Sequence, residues 1–578
     1  MLLIECGLVL VAVFVAFNFP RAGSHFFELM EHGFVRLARK RGLAVVVVGL
    51  AALALRAALL PMLPVPQPSA QDEFSYLLSA DTFAHGRLSN PPHPMWIHFE
   101  TFHVNFKPTY VAMVHPAQGL FMAAGQVILG HPFWGVWLSV GVMCTAICWM
   151  LQGWLPPLWA LLGGLLAVIR LGTFSYWANS YWGGAVAAIG GALVLGALPR
   201  IQRQQRVRDA LLMGFGLAIL ANSRPYEGLF FSLPVGVALL VWMVGKNSPP
   251  LRISARRIVL PLALVLLATL GAMAYYFLRT SGSPLQSPYL LNAQIYNPVP
   301  IFPWLPLKPV PEYHHAVMKS FYTGWWFSQH EFARLHPALS GVWTASLFWL
   351  FYLGPVLTLP LLMLVAILPY GMSYKDIGRR TRFLLLVCCL SFAGSLLPVY
   401  FNPHYAAPVT AAIYALVLLA MQHLRRWRWR GKRTGLAMVR ALPSACVALL
   451  LIRASAPALH IPLPPPFPQS WCSESIQMLG RAQILARLQG HEGHHLVIVR
   501  YKPDHDSLQE WVYNDADIDT SKVVWAREMD AAENEELIKY FKDRNVWLVE
   551  PDEKPPKLSP YPAVLNSAGV ERMKASGN

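Results

Sequence analysis

Asp72 and Glu73 stand side by side just past an apolar stretch that ends near Met62. Only 12 acidic residues precede position 460, and these are two of them. A carboxylate pair where an apolar helix meets water is costly to leave unpaired and well suited to proton transfer. Asp72 is the candidate catalytic base of a membrane enzyme, with Glu73 beside it. Adjacent carboxylates should also titrate as a unit. The competing reading makes Asp72 the cap of a helix starting at Glu73, a role that needs no chemistry. Five histidines follow, at 85, 93, 98, 103 and 115. Spacings such as His93, His98 and His103 do not match a compact metal motif, so no metal site or cofactor is assigned, with a bound divalent ion as the lesser alternative.

The elements that must position this pair belong to a membrane. Of the 578 residues 55% are hydrophobic and 13% charged, far from a soluble average. Several stretches reach the ~20 apolar residues of a bilayer-spanning helix. The net charge of +17 is no nucleic-acid surface, because Lys and Arg fall in short blocks between apolar runs. Such blocks encode orientation, with basic loops kept in the cytoplasm. Of the 30 acidic residues, 18 follow position 460 and mark a separate, water-soluble tail. Six of seven cysteines lie in apolar spans, where a thiol packs as a small hydrophobe. Cys472 stands alone in the tail, which excludes a disulfide framework or zinc knuckle there.

Residues 2–18 read as a retained helix, without the basic start or cleavage site of a signal peptide. The basic run 36–41 then places the following turn inside, and 42–62 returns the chain to the outer face. The loop 63–115 is long, aromatic and rich in Pro and His, and its aromatic density argues against disorder. Residues 116–130 are short for a span and fit a re-entrant or interfacial helix. With that choice, spans near 133–152, 157–172, 183–199, 209–222, 229–245, 258–278, 346–368, 383–400, 405–422 and 436–453 alternate without conflict. The basic blocks 200–208, 246–257, 375–382 and 425–433 then all land in the cytoplasm. The expectation is a polytopic α-helical protein of about 12 transmembrane helices, with a membrane domain at 1–455. The outer face collects the loop 63–115, the runs 176–182, 222–227 and 401–405, and a second large loop at 279–345. A Pro-rich linker (456–470) leads to a small α/β domain at 471–578. Its elements are a helix at 474–489, a strand at 495–501, a helix at 530–543 and a strand at 546–550. It carries no phosphate loop and no nucleophile–base pair, which favours docking or structure over a second active site.

The order of a spanning helix, an outer loop opening with Asp72 and Glu73, and a half-inserted helix opening with His115 and Pro116 resembles the GT-C fold. That fold belongs to membrane glycosyltransferases using polyprenyl-phosphate sugars. Nearest in pattern are the protein O-mannosyltransferases and the aminoarabinose transferases of lipid A, family 39 in the broad sense. Residues 72–96, 179–184 and 223–227 look like a bacterial, family-39-like branch, and the likeness covers roughly 40–455. It implies transfer of a sugar from a polyprenyl-phosphate donor to an acceptor hydroxyl on the outer face, with inversion and with Asp72 as base. The relatives place a Lys just before their Pro-Pro, where this chain has Met113, Val114 and His115, and a second acid where this chain has Asn179.

The resemblance therefore sends the search for a phosphate-holding group elsewhere. Arg224, three residues before Glu227, either contacts the donor or pairs with Glu227 at the membrane edge. Lys107, His115 and His404 are further candidates, each with a structural reading beside it, and Glu227, Tyr405, Asn179 and Tyr181 complete the substrate-binding set. Arg170 sits inside a span and is expected to snorkel to an interface. The aromatics of 176–182, Trp325 and Trp326 suit an interfacial belt better than a sugar platform. The expected location is a bacterial inner membrane, with site and tail facing the periplasm. The acceptor is a lipid, a glycan or a protein, and no nucleic acid is involved. Two other classes stay open: a transporter or flippase of a lipid-linked substrate, and an inactive relative that scaffolds envelope assembly. Transporters place ionisable residues at the bilayer midplane, whereas here nearly all lie in outer loops.

Overall fold

A computed structural model of the chain describes residues 1–245, 248–367, 378–463, 467–473 and 477–562. Lys246, Lys375, linker positions 464–466, the start of the helix expected at 474–489 and the chain after 562 lie outside the described residues. Among the described residues seven helices are long and apolar enough to cross a bilayer, and the chain is an integral membrane protein. They are Arg41–Ala58, Phe133–Trp154, Gly184–Gln204, Pro225–Val244, Leu251–Ser281, Pro403–Leu424 and Thr434–Ser455. Gly184–Gln204 and Pro403–Leu424 sit at the centre, with 89% and 83% of their apolar windows buried, whereas Leu251–Ser281 is 11% buried and faces outward. The two central elements touch through backbone: a Cβ at Gly191 would lie 1.9 Å from the Pro408 carbonyl oxygen. Only glycine allows that approach, and it fixes the segment bearing His404 and Tyr405.

The expected count of about 12 exceeds what these residues carry. An eighth span is present only as a broken pair, Pro337–Tyr352 and Gly354–Ile367, which bend by 99°. Four other expected spans are short helices: Leu2–Asn18, Pro157–Leu171, Val207–Ala221 and Arg379–Ser395. At 15 to 17 residues they rise about 22–26 Å, short of the ~30 Å hydrocarbon core. The break replaces the straight helix expected at 346–368, and its cause is local. Gly354 adopts φ +57, which ends one helix and frees backbone groups. Arg170 Nη2 donates to the Leu353 carbonyl at 3.0 Å, and Glu5 Oε1 accepts from Val356 N at 3.2 Å. Arg170 therefore does not snorkel. It is 1% exposed and pairs with Glu5 at 3.3 Å.

The loop 63–115 is ordered around the helix Gln71–Ala84 and a two-stranded ribbon, β1 (Val104–Asn105) against β2 (Val111–Ala112). The helix Pro116–Leu129 follows, 14 residues with Pro at its start and a left-handed Gly130 after its end. At ~1.5 Å per residue it rises about 21 Å, too short to cross. Gly119 lets it press on the Asp72 helix, since a Cβ there would meet Ser79 Oγ at 2.2 Å. The tail is a four-stranded sheet ordered β4-β3-β5-β6: β3 (His495–Val499), β4 (Val523–Arg527), β5 (Asn545–Glu550) and β6 (Lys557–Pro560). β3 runs parallel to β4 and β5, β6 is antiparallel, and helices Leu479–Gly490 and Ala531–Tyr540 flank the sheet. Strands β4 and β6 are additions to the expected elements.

This domain docks directly on the first loop. Tyr513 stacks on Phe74 with centroids 4.2 Å apart, and Arg481 lies over the same Phe74 ring at 4.9 Å. Buried Arg527 donates to the Glu100 carbonyl and to Glu510. Ala516 N and Asp81 add a further bond.

Candidate active site

Four prolines between 61 and 68 keep the approach to Asp72 extended, and the helix begins at Gln71 after the cap residue Ala70. The capping role falls to Glu73 and not to Asp72. Glu73 is 3% exposed and accepts from the backbone N–H groups of Ser69 (2.9 Å), Ala70 (3.1 Å) and Tyr181 (3.0 Å). It thus fastens the helix start to its approach and to the loop before the central helix Gly184–Gln204. Burial pushes its carboxyl above the ordinary range despite these bonds. With its oxygens occupied by backbone donors, Glu73 is built to hold Asp72 in place.

Asp72 is half-buried, and its Oδ1 lies 2.9 Å from His103 Nδ1. That nitrogen makes no well-directed hydrogen bond, so the contact is an ion-pair contact when the ring is protonated. His103 holds a left-handed backbone, φ 60, unusual for a side chain of this size. Its carbonyl is gripped by Ser75 Oγ at 2.7 Å and by Met113 N at 3.0 Å. Burial raises the Asp72 carboxyl, but His103 and then Arg224 outweigh it and hold the group below the usual carboxylate range.

Arg224 caps the start of Pro225–Val244, and its guanidinium lies 4.2 Å over the Tyr405 ring. Its charge reaches Asp72, Tyr76, His115 and Glu227. Burial opposes that charge, yet Tyr76, Glu227, Tyr405 and Asp72 together hold it above its ordinary range. His115 stacks on Tyr289 with centroids 6.0 Å apart, and burial followed by Arg224 lowers its imidazole to about 4. Near neutral pH it is an uncharged partner and not the cation its position suggested. His404 is buried: its Nδ1 pairs with Tyr176 Oη at 3.0 Å, while Nε2 is buried without a partner.

The structure therefore brings together Asp72, His115, Arg224, Glu227, His404 and Tyr405 from four separate stretches of chain. Tyr76, Tyr289 and Tyr400 join them, since Asp72 acts on all three. Other expected residues have supporting places. Asn179 donates to the carbonyls of Thr173 and Ser175, shaping the 173–181 turn. Tyr181 gives its amide to Glu73 and its hydroxyl to the Pro66 carbonyl. Exposed Lys107 lies over the Trp96 ring at 4.5 Å, a use that differs from the phosphate contact expected of it. The loop histidines are spread among separate partners: His85 with Asp81, His93 with Asp519, His98 with the Arg527 carbonyl, His103 with Asp72. Among the described residues no three His, Cys, Asp or Glu side chains gather as metal ligands. Sequence reasoning missed the His103 partnership, whose one advance sign was a histidine in the loop that Asp72 opens.

No family model and no curated protein matches the sequence. Among solved structures, the chain is similar to the apo oligosaccharyltransferase of Archaeoglobus fulgidus, at 10% identity and a TM-score of 0.41. That likeness covers 79% of this chain and 62% of the archaeal one, so the chain spans under two thirds of that protein. It is also similar to ArnT of Cupriavidus metallidurans in the apo state, at 14% identity and a TM-score of 0.47, covering 93% of this chain and 95% of that one. The undecaprenyl phosphate complex of the same ArnT gives 10% identity and a TM-score of 0.43 over 91% and 94% of the two chains. With TM-scores below 0.5, these are distant similarities.

Proposed function

We propose that the chain is a membrane glycosyltransferase that moves a sugar from a polyprenyl-phosphate donor to an acceptor hydroxyl, with Asp72 as general base. The observation that carries this reading is the placement of the Asp72 carboxylate, 2.9 Å from His103, and of the Arg224 guanidinium, 4.2 Å over the Tyr405 ring, at one end of a bundle of apolar helices. The acceptor oxygen attacks the anomeric carbon, the bond from that carbon to the phosphate oxygen breaks, and the hydroxyl proton passes to Asp72. Charge grows on the departing phosphate, and Arg224 stands ready to stabilise it. The unpartnered Nε2 of His404 and the neutral ring of His115 supply further hydrogen-bonding positions. Asp72 is a weak base because His103 and Arg224 stabilise its anion. Proton transfer is accordingly late, after bond formation has acidified the attacking hydroxyl.

The site faces the periplasm of a bacterial inner membrane in this reading, with the tail domain on the same side. Transport finds no support in the buried Glu5–Arg170 pair, whose groups are tied up by Val356 N, the Leu353 carbonyl and Trp471. The test is an assay of purified full-length protein with a panel of polyprenyl-phosphate sugars, scored by release of polyprenyl phosphate. Release from at least one donor is expected. Absence of release from every donor, together with movement of labelled donor across vesicles, would replace this reading with transport.

A further inference from the structure

At the end of the bundle away from Asp72, four elements border an open cavity of about 280 Å³ lined by Trp149, Gln152, Arg200 and the exposed Arg41, Arg206 and Arg208, among others. Its place follows from the helices. Gly184–Gln204 starts beside the Tyr181–Glu73 bond and ends at the cavity, and Val207–Ala221 starts at the cavity and ends just before Arg224. A 21-residue helix separates the two sites by about 30 Å. Arg200 is fixed in place: its guanidinium lies 3.9 Å over Trp149, with one nitrogen on the Gly196 carbonyl and another on the Trp149 carbonyl. Gly153 makes room for it, since a Cβ there would fall 2.7 Å from Arg200 Nη1. Buried Asp209, 3.8 Å from Arg208, is the largest charge influence on Arg200, and the like charges of Arg203, Arg41 and Arg208 also bear on it.

We infer that this cavity is a binding site for a phosphate-bearing anion, distinct from the proposed active site and independent of its chemistry. Asp209 is one carboxylate set against the guanidiniums of Arg41, Arg200, Arg206 and Arg208, and the like charges it leaves unbalanced repel until a further anion sits among them; guanidinium forks match phosphate oxygens in geometry. The bland explanation is that these arginines only orient the chain in the membrane. The seat of Arg200 answers it, because a charge that only orients the chain needs no guanidinium held on the Gly196 and Trp149 carbonyls and stacked on Trp149. The anion is a lipid headgroup or a soluble phosphate, and the experiment separates them.

Full-length protein in detergent is titrated with dioleoylphosphatidylglycerol, with dioleoylphosphatidylcholine and, separately, with inorganic phosphate, and bound ligand is counted by native mass spectrometry. The triple variant Arg41→Gln, Arg206→Gln, Arg208→Gln is compared with Arg426→Gln, Arg428→Gln, Arg430→Gln. Val45 also lines the cavity, and Val45→Trp, which fills it and keeps every charge, covers the case in which the first triple unfolds. Phosphatidylglycerol binding about tenfold tighter than phosphatidylcholine, weakened at least that much by the cavity triple and by Val45→Trp but not by the control triple, assigns a lipid headgroup. The same pattern with inorganic phosphate alone assigns a soluble ligand. Equal loss in both triples, full binding in Val45→Trp, or no binding of either probe would overturn the site.

Discussion

Asp72 and Glu73 are neighbours whose surroundings drive them apart. Glu73 spends its oxygens on three backbone amides and is pushed up by burial, whereas Asp72 faces His103 and Arg224 and is held down. Such a divergence separates a positioning carboxylate from a reacting one. Replacing Glu73 by Ala leaves the amides of Ser69, Ala70 and Tyr181 without their acceptor, which should lower stability by about 1–3 kcal/mol, read from the thermal midpoint. His103→Ala removes the larger of the two influences that depress Asp72. The Asp72 pKa then rises, so the base is lost at a higher pH as the medium is acidified. The acidic limb of kcat/KM against pH should move upward, and an unmoved limb would remove His103 from the account. The sequence made the carboxylate pair and Arg224 legible because each breaks an apolar pattern. It could not show the His103 contact, which depends on a left-handed backbone and a grip from Ser75, nor the tyrosines gathered from distant segments.

At the scale of elements, the helix Pro116–Leu129 was legible from its length and its leading proline, and its seat depends on glycine. Gly119→Ala would drive a methyl into Ser79, an overpacking worth about 1–3 kcal/mol. It should lower kcat and stability together, with partial recovery in the double variant Gly119→Ala, Ser79→Ala, measured by turnover and thermal unfolding. Recovery of stability without recovery of kcat would detach this helix from the site. The broken pair at Gly354 was not legible, since 346–368 is apolar throughout and hydropathy is blind to a left-handed glycine. Glu5, Arg170 and Trp471 hold that corner, with Glu5 lying 165 residues from Arg170 and 466 from Trp471.

Across the whole molecule, the contacts sort the helix ends into two groups. Glu5, Arg170, Gly354 and Trp471 meet at one corner, while Glu31, Arg425 and Arg440 meet at another. The tail's α/β character was legible from its β-branched runs, but its seat on the Asp72 helix was not, because Tyr513 and Arg481 meet Phe74 only in three dimensions. Arg527→Met would leave Glu510 buried and uncompensated, a loss of about 3–5 kcal/mol. Limited proteolysis should then cut between membrane domain and tail faster than in the wild type. Unchanged cleavage would mean that Arg527 does not secure the docking.

The most direct test is release of polyprenyl phosphate by purified wild type and Asp72→Asn, assayed side by side with a donor that the wild type accepts. Asn keeps the shape of Asp and removes the base. Turnover about 100- to 10,000-fold lower, with an unchanged thermal midpoint, is the result expected here, and equal turnover in the two proteins would contradict it.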